Sequence, residues 1–452
     1  MPVQYCMSQG KMLDRDRRSS LVRKNIAGSI LIKGWGCIVQ LLLVPATLKS
    51  LNQYEYGVWL TISSILLWVD QFDIGLGNGL RNKLAEAVAK NDFMLARRLV
   101  STAFVMLTVI IVPIVLILLF LVCYTDVSSF LSIDDPSVQD GIIKVLIVSI
   151  LLVGATFIFK LVGNVYLGLQ LPAVNNLLVV LGQTLALVVI FVLSCSRDLS
   201  LIEVACICTA SPLIVYLLAY PITFRIYGFL RPSFCLFDKC ALKDLFSLGV
   251  KFFIVQVAGL IIFATSNILI SKILSPSEVT PYQISYKYFS FTIMLFTLIS
   301  APVWSATTDA YSKDDWSWIN RTMHKMDKVM FVFVSLLLFM LLLSEPVYDI
   351  WVGDEIKIDF MLSVFMSLYM AVLIFSTCYS NVLFGIGKIR VIAIATMTEA
   401  VVYIPLAVAL GHRFGLYGIV GALLIVNLLC AVCNKIQFNK LASGTATGIW
   451  NK

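Results

Sequence analysis

Five ionisable side chains stand inside long apolar stretches of the chain: Lys33, Asp70, Lys160, Lys287 and Glu399. In a bilayer each would cost at least about 2.5 kcal/mol, so each needs a partner or a task. At about 1.5 Å per helical residue, Lys33 lies about 12 Å into its stretch and Asp70 about 10 Å from the same face. Similar depth makes a Lys33–Asp70 ion pair the simplest reading of those two. Lys33, Lys160 and Lys287 otherwise offer point charges suited to a phosphate or another anionic group. Glu399, about 12 Å deep with no charged neighbour in sequence, suits the binding of a coupling proton or cation. Lys144, Lys251 and Glu203 lie within a turn of a stretch end, where their head groups can reach the interface.

Other chemistry is thinly represented. The only histidines, His324 and His412, fall in loops, and the Cys430–Cys433 pair has no second pair to complete a metal or redox site. Buried cysteine acting as a small apolar residue accounts for that spacing. No Walker pattern occurs, which removes ATP hydrolysis as the direct energy source and leaves a proton or sodium gradient. Nothing in the chain calls for a cofactor, a metal or a nucleic acid. The longest outer loop, 125–140, carries Asp134, Asp135 and Asp140 without His, Lys or Arg, and reads as a solvated acidic loop rather than an enzyme site.

The elements that must position these residues follow from composition. The 452 residues are 60% hydrophobic and 13% charged. Soluble domains have about 45–50% apolar and about 25% charged residues, so the bilayer is the expected solvent. Apolar windows bounded by charge, Pro and Gly predict spans near 25–48, 55–77, 99–124, 141–168, 175–195, 201–224, 248–271, 281–305, 329–349, 361–384, 391–411 and 417–434. Their continuous apolarity favours helices over barrel strands. The first span is too long for a signal-peptide core and has no small-residue cleavage pattern, so it reads as a retained anchor. With the N-terminus cytoplasmic, inner segments hold 24 of the 34 Lys and Arg and outer loops five. That bias places both termini in the cytoplasm.

The chain also repeats itself. At an offset of 223 residues, Glu86–Arg98 lies over Asp309–Arg321, matching Ala87 with Ala310, Lys90 with Lys313, Asp92 with Asp315 and Arg98 with Arg321. Lys49, Leu51 and Glu55 pair with Lys272, Leu274 and Glu278 at the same offset, and Asn164–Gly168 pairs with Asn381–Gly385 at 217. An even number of spans per repeat sets both copies the same way up. The expected fold is all-α and integral to the membrane, with twelve helices in two parallel six-helix bundles around a central cavity. The expected divisions are a cytoplasmic tail 1–24, a bundle 25–224, a linker 225–247, a bundle 248–434 and a tail 435–452. The buried charges are not repeated, since Lys33 aligns with Gln256, Asp70 with Ile293 and Glu399 with Gly182. Duplicated fold with unduplicated charge suggests a transporter whose cavity chemistry is local.

The segments Tyr54-Glu55-Tyr56-Gly57 and Phe72-Asp73-Ile74-Gly75 through Arg81 resemble the polysaccharide-transport branch of the multidrug/oligosaccharidyl-lipid/polysaccharide (MOP) exporter superfamily. In that branch an E-x-G segment opens span two and an Asp-x-Gly…Arg pattern closes it, here at Asp73, Gly75 and Arg81, a cytoplasmic gate motif. The resemblance implies a MATE-like fold and a Wzx-type flippase of O-antigen or capsule repeat units in the bacterial inner membrane. It further implies an undecaprenyl-diphosphate-linked oligosaccharide as substrate, membrane lipids as surroundings and contact with polysaccharide polymerase machinery. The competing expectation is a MATE-like, cation-coupled antiporter of drugs or metabolites. Lys33, standing where that branch carries an acid, favours the anionic cargo.

Overall fold

The computed structural model describes residues 15–69, 76–131, 133, 135–239, 241–242, 264–353 and 356–451. Asp70, Asp73 and Gly75 lie outside the described residues. Every regular element among the described residues is a helix. In order these are α1 (Arg15–Leu48), α2 (Gln53–Val69), α3 (Leu76–Ala89), α4 (Phe93–Tyr124), α5 (Val127–Phe130), α6 (Pro136–Gly168), α7 (Pro172–Ser194) and α8 (Leu201–Ile226). There follow α9 (264–273), α10 (Pro276–Ser312), α11 (Trp316–Leu342), α12 (Ser344–Val352), α13 (Phe360–Ile386) and α14 (Arg390–Ala442). Eight helices among the described residues are long and apolar enough to cross a membrane, or nine if α11 and α12, bent by 64°, form one span. The 53 residues of α14 are too many for one crossing. Gly415 (φ +62°) breaks it, and the chain reverses there, because Gly418 packs on the carbonyl of Leu410 and Gly411 on Ile419. The expected spans 391–411 and 417–434 are the two arms of that hairpin.

The helices present an apolar surface outward. On α4, Ala96, Leu99, Val100, Ala103, Leu107 and Ile111 recur at helical spacing and are buried, while Val109, Val112, Leu116, Ile117 and Phe120 on the opposite side are 45–60% exposed. Such a face suits hydrocarbon rather than water. The segment 78–98, expected to be a loop, contains α3. Its Leu76, Leu80, Leu84 and Ala87 form a buried stripe against α4 and α6. Relative to water, burying each leucine stabilises by about 1.5–3 kcal/mol, and that sequence stripe is the sign of the helix.

Two compact units emerge. One comprises residues 1–51, 66–127 and 135–254, the other 52–65, 128–134 and 255–452. Most of α2, residues 53–65, thus belongs to the second unit. It starts with a reciprocal cap, the Asn52 N–H donating to Glu55 Oε2 (3.1 Å) and the Glu55 N–H to Asn52 Oδ1 (2.9 Å). Gly57 then lies against the Pro276 carbonyl, where a Cβ would overlap the oxygen. Gln53 Nε2 donates to the Ser277 carbonyl (3.1 Å), and Thr280 Oγ1 donates to that of Gln53 (2.7 Å). The E-x-G segment is therefore a cap followed by a close helix contact.

Internal repetition extends to backbone angles. Asn91 (φ 57°) precedes Asp92, whose carboxylate accepts the Leu95 N–H at 2.9 Å. Asp314 (φ 55°) precedes Asp315, whose carboxylate accepts the Trp318 N–H at 2.9 Å. The Asp92 and Asp315 N–H groups donate at 2.9 Å to the carbonyls of Ala87 and Ala310. Likewise Gly168 packs on Leu84, and Gly385 on Thr307, its counterpart at the 223-residue offset.

Candidate functional site

In the first unit, Lys33 is exposed on α1. Its helix is fixed to α7 by Gly36 against Val180 and by Trp35 Nε1 donating to Thr184 Oγ1 at 3.2 Å. Lys160 is half-buried on α6, and Arg81 is exposed on α3.

The second unit builds a denser polar site. Lys287, half-buried on α10, donates from Nζ to the Tyr56 phenol oxygen at 3.2 Å and lies 5.9 Å from that ring's centroid. Among the described residues no carboxylate comes within 4.0 Å of its ammonium. One turn earlier on the same helix, Gln283 donates to Asn267 Oδ1 (2.7 Å), and Asn267 donates to Ser64 Oγ (2.6 Å) and the Leu60 carbonyl (3.3 Å). Tyr56, Leu60 and Ser64 recur every four residues on α2, and so line up along one face. The satisfied amides hold α2, α9 and α10 together, since a membrane interior offers no water as an alternative partner. Lys287 is left with protons to donate. A cation beside a phenol and amides can bind an anionic group on a polyhydroxylated molecule.

Glu399 sits about 13 Å along α14 from Arg390 and is only 7% exposed. Its Oε1 has no hydrogen-bond partner among the described residues, and the Cys430 thiol lies within hydrogen-bonding reach of the carboxylate. The hairpin at Gly415 explains that neighbour, since the register that sets Gly411 beside Ile419 also sets Glu399 beside Cys430. Both face a cavity of about 350 Å³ whose lining includes Val391, Thr398, Cys433 and Trp450. One turn beyond Glu399, the fully buried Tyr403 shares a 2.7 Å hydrogen bond with Ser266.

Reading the sequence for charge singled out Lys287 and Glu399, named Tyr56 only as part of the E-x-G segment and Cys430 only as a small apolar residue, and passed over Ser64, Asn267 and Gln283. The signal was available: Asn267 and Gln283 are amides in apolar spans, and Gln283 stands four residues before Lys287.

No family model matches the chain. A Salmonella typhi protein named as an O-antigen transporter is 21% identical over 396 residues, covering 86% of this chain and 88% of the relative. A Yersinia pseudotuberculosis protein named as an O-antigen export protein is 23% identical over 423 residues, covering 89% and 91%. A solved inward-facing multidrug-resistance MATE transporter of the MOP superfamily superposes with a TM-score of 0.76 at 16% identity, covering 92% of this chain and 98% of that one. The chain has the MOP exporter fold. The likeness in fold extends over nearly the whole length, and the long apolar helices are those of a multi-pass membrane protein. Within that fold, the Lys287 cluster and the Glu399 cavity are where the second unit buries ionisable groups among polar partners.

Proposed function

We propose that this MOP-fold transporter is a flippase. It moves a polyprenyl-diphosphate-linked oligosaccharide, with undecaprenyl as the carrier, from the cytoplasmic to the outer leaflet of the bacterial inner membrane by alternating access. The observation that carries the reading is Lys287, a membrane-embedded ammonium with no carboxylate partner among the described residues, tethered to Tyr56 beside the Gln283 and Asn267 amides and the Ser64 hydroxyl. Lys287 would meet the diphosphate, and neighbouring hydroxyl and amide groups would meet sugars. Lys33 and Lys160 would supply further positive charge, and Arg81 would meet lipid phosphate near the cytoplasmic face. The names of the Salmonella and Yersinia relatives support a glycan cargo.

Glu399 is the carboxylate we assign to coupling. An ionised carboxylate with an unpartnered oxygen in an apolar cavity must recruit a proton or a cation, and exchanging it between the two sides would link flipping to an ion gradient. The same feature supports the alternative of cation-coupled antiport of an organic cation.

Purified protein in vesicles carrying a fluorescent polyprenyl-diphosphate oligosaccharide tests the choice. Flipping is read by an impermeant quencher. Lys287→Ala should slow it by about tenfold or more, the loss expected for one charge-assisted hydrogen bond, with membrane insertion unchanged. Flipping at the wild-type rate in that variant, or no flipping by the wild type together with gradient-driven uptake of an organic cation, refutes the reading.

A further inference from the structure

The Glu399 cavity is open along one side, where Ile394, Val402 and Leu429 are exposed, and part of its lining comes from far along the chain. Ile449 and Trp450 line it, although they lie some fifty residues beyond Glu399. They belong to a single turn, Gly448–Asn451, which the chain reaches through Gly444 (φ +70°) and Gly448 (φ +57°). Positive φ at both positions folds the segment back onto the hairpin rather than away from it.

The turn is held by a small set of polar contacts outside the cavity. Gln437, fully buried on the second arm of α14, donates from Nε2 both to the Lys388 carbonyl (3.1 Å) and to the Trp450 carbonyl (3.2 Å). Lys388 Nζ donates to the Asn451 carbonyl at 2.9 Å. Lys440 sets its ammonium 4.4 Å from the centroid of the Trp450 indole, a cation–π contact. Ile449 is 43% exposed and Gly448 is exposed, so the half-buried Trp450 indole and these polar contacts carry the segment's placement. A piece of chain secured in this way opens at far lower cost than the helices beneath it.

We propose that Gly448–Asn451 is a removable stopper over the Glu399 cavity, and that its release controls when ions and water reach that carboxylate. Trp450 is the plug, Gln437 and Lys388 hold its backbone, and Lys440 holds its ring. The consequence for transport rests on the reading of Glu399 as the coupling group. The stopper itself does not.

Cys430 and Cys433 line the same cavity and report access directly. In a chain retaining only Cys430, Cys433 and the buried Cys378, a membrane-impermeant thiosulfonate is applied in turn to each face of sealed vesicles. Modification of Cys430 and Cys433 is followed by mass spectrometry. Trp450→Ala, and separately removal of residues 444–452, should raise their rate by about tenfold or more from one face, as expected for loss of a local closing equilibrium. Trp450→Phe should stay near the parent rate. Cys378, 1% exposed and not part of the cavity lining, should remain unmodified in all of them, which establishes an intact fold. Equal cavity labelling in the parent, the alanine variant and the truncation overturns the stopper, as does an alanine-variant increase that Cys378 shares. Ion-gradient dependence of flipping is measured separately, so a failure of the coupling assignment leaves the labelling result standing.

Discussion

Gly57→Ala gives the sharpest test of the packing described here. A Cβ at that position would overlap the carbonyl oxygen of Pro276, a backbone atom that cannot swing aside. This part of α2 would have to retreat by about 1.5 Å to restore van der Waals separation. Overpacking of this kind costs about 1–3 kcal/mol. The same retreat strains the hydrogen bonds from Gln53 to Ser277 (3.1 Å) and from Thr280 to Gln53 (2.7 Å), each worth about 0.5–1.5 kcal/mol. Alanine returns about 1 kcal/mol of helix propensity, leaving a net loss of about 3 kcal/mol. That is roughly a hundredfold in the folding equilibrium. Thermal unfolding in detergent, compared with Thr280→Val, which removes only one of the hydrogen bonds, reads the loss. Gly141→Ala serves as the control, since a Cβ there meets nothing within 4 Å. Should Gly57→Ala melt at or above the temperature of Gly141→Ala, the close contact does not hold α2.

Three further outcomes are expected. Asp92→Ala and Asp315→Ala should each destabilise by about 1 kcal/mol and by nearly equal amounts, because the two caps share their geometry; calorimetry of both variants checks this. Asp359 caps α13 at its N-terminal end, and the Tyr417 hydroxyl followed by the Met361 N–H holds its carboxyl below the ordinary carboxylate range. A depressed folded-state value adds stability above the unfolded value of about 3.9, lost as pH falls through the folded one, so Asp359→Asn should be destabilised at pH 7 and should converge on wild type as pH is lowered below about 4. Unfolding midpoints measured across that range decide it. Glu399→Gln, which keeps the shape and removes the charge, should leave flipping insensitive to an imposed proton or sodium gradient; a retained gradient response would move the coupling group elsewhere.

Much of the architecture was legible because a bilayer leaves the sequence few choices. Continuous apolar runs bounded by charge mark the helices, and the hairpin of α14 falls where Gly411, Gly415 and Gly418 interrupt one such run. The 223-residue offset, read from Lys90, Asp92 and Arg98, reappears as matching φ angles at Asn91 and Asp314. Where sequence reasoning fell short, the reason was its search for charge and span alone. The leucine stripe of α3 is a helix signal in a segment too polar to be counted as a span. The Lys287 cluster draws on Tyr56, Asn267 and Gln283, neutral groups whose importance comes from what they face, and facing is a tertiary property. The grouping of 52–65 and 128–134 with the second unit has no local signature at all, since hydropathy records depth and not neighbours.

That grouping bears on how the chain comes together during synthesis. Two short pieces that leave the ribosome early, 52–65 and 128–134, are structural members of a unit whose remaining residues emerge more than a hundred positions later. Until then Gly57 has no Pro276 to rest on, and the Leu131 carbonyl has no Ser271 hydroxyl, its partner at 2.9 Å. The early helices must therefore wait in the bilayer incompletely packed. A chain cut into co-expressed halves after residue 240 should assemble only when both fragments share one membrane, because the later fragment lacks two pieces of its own interior.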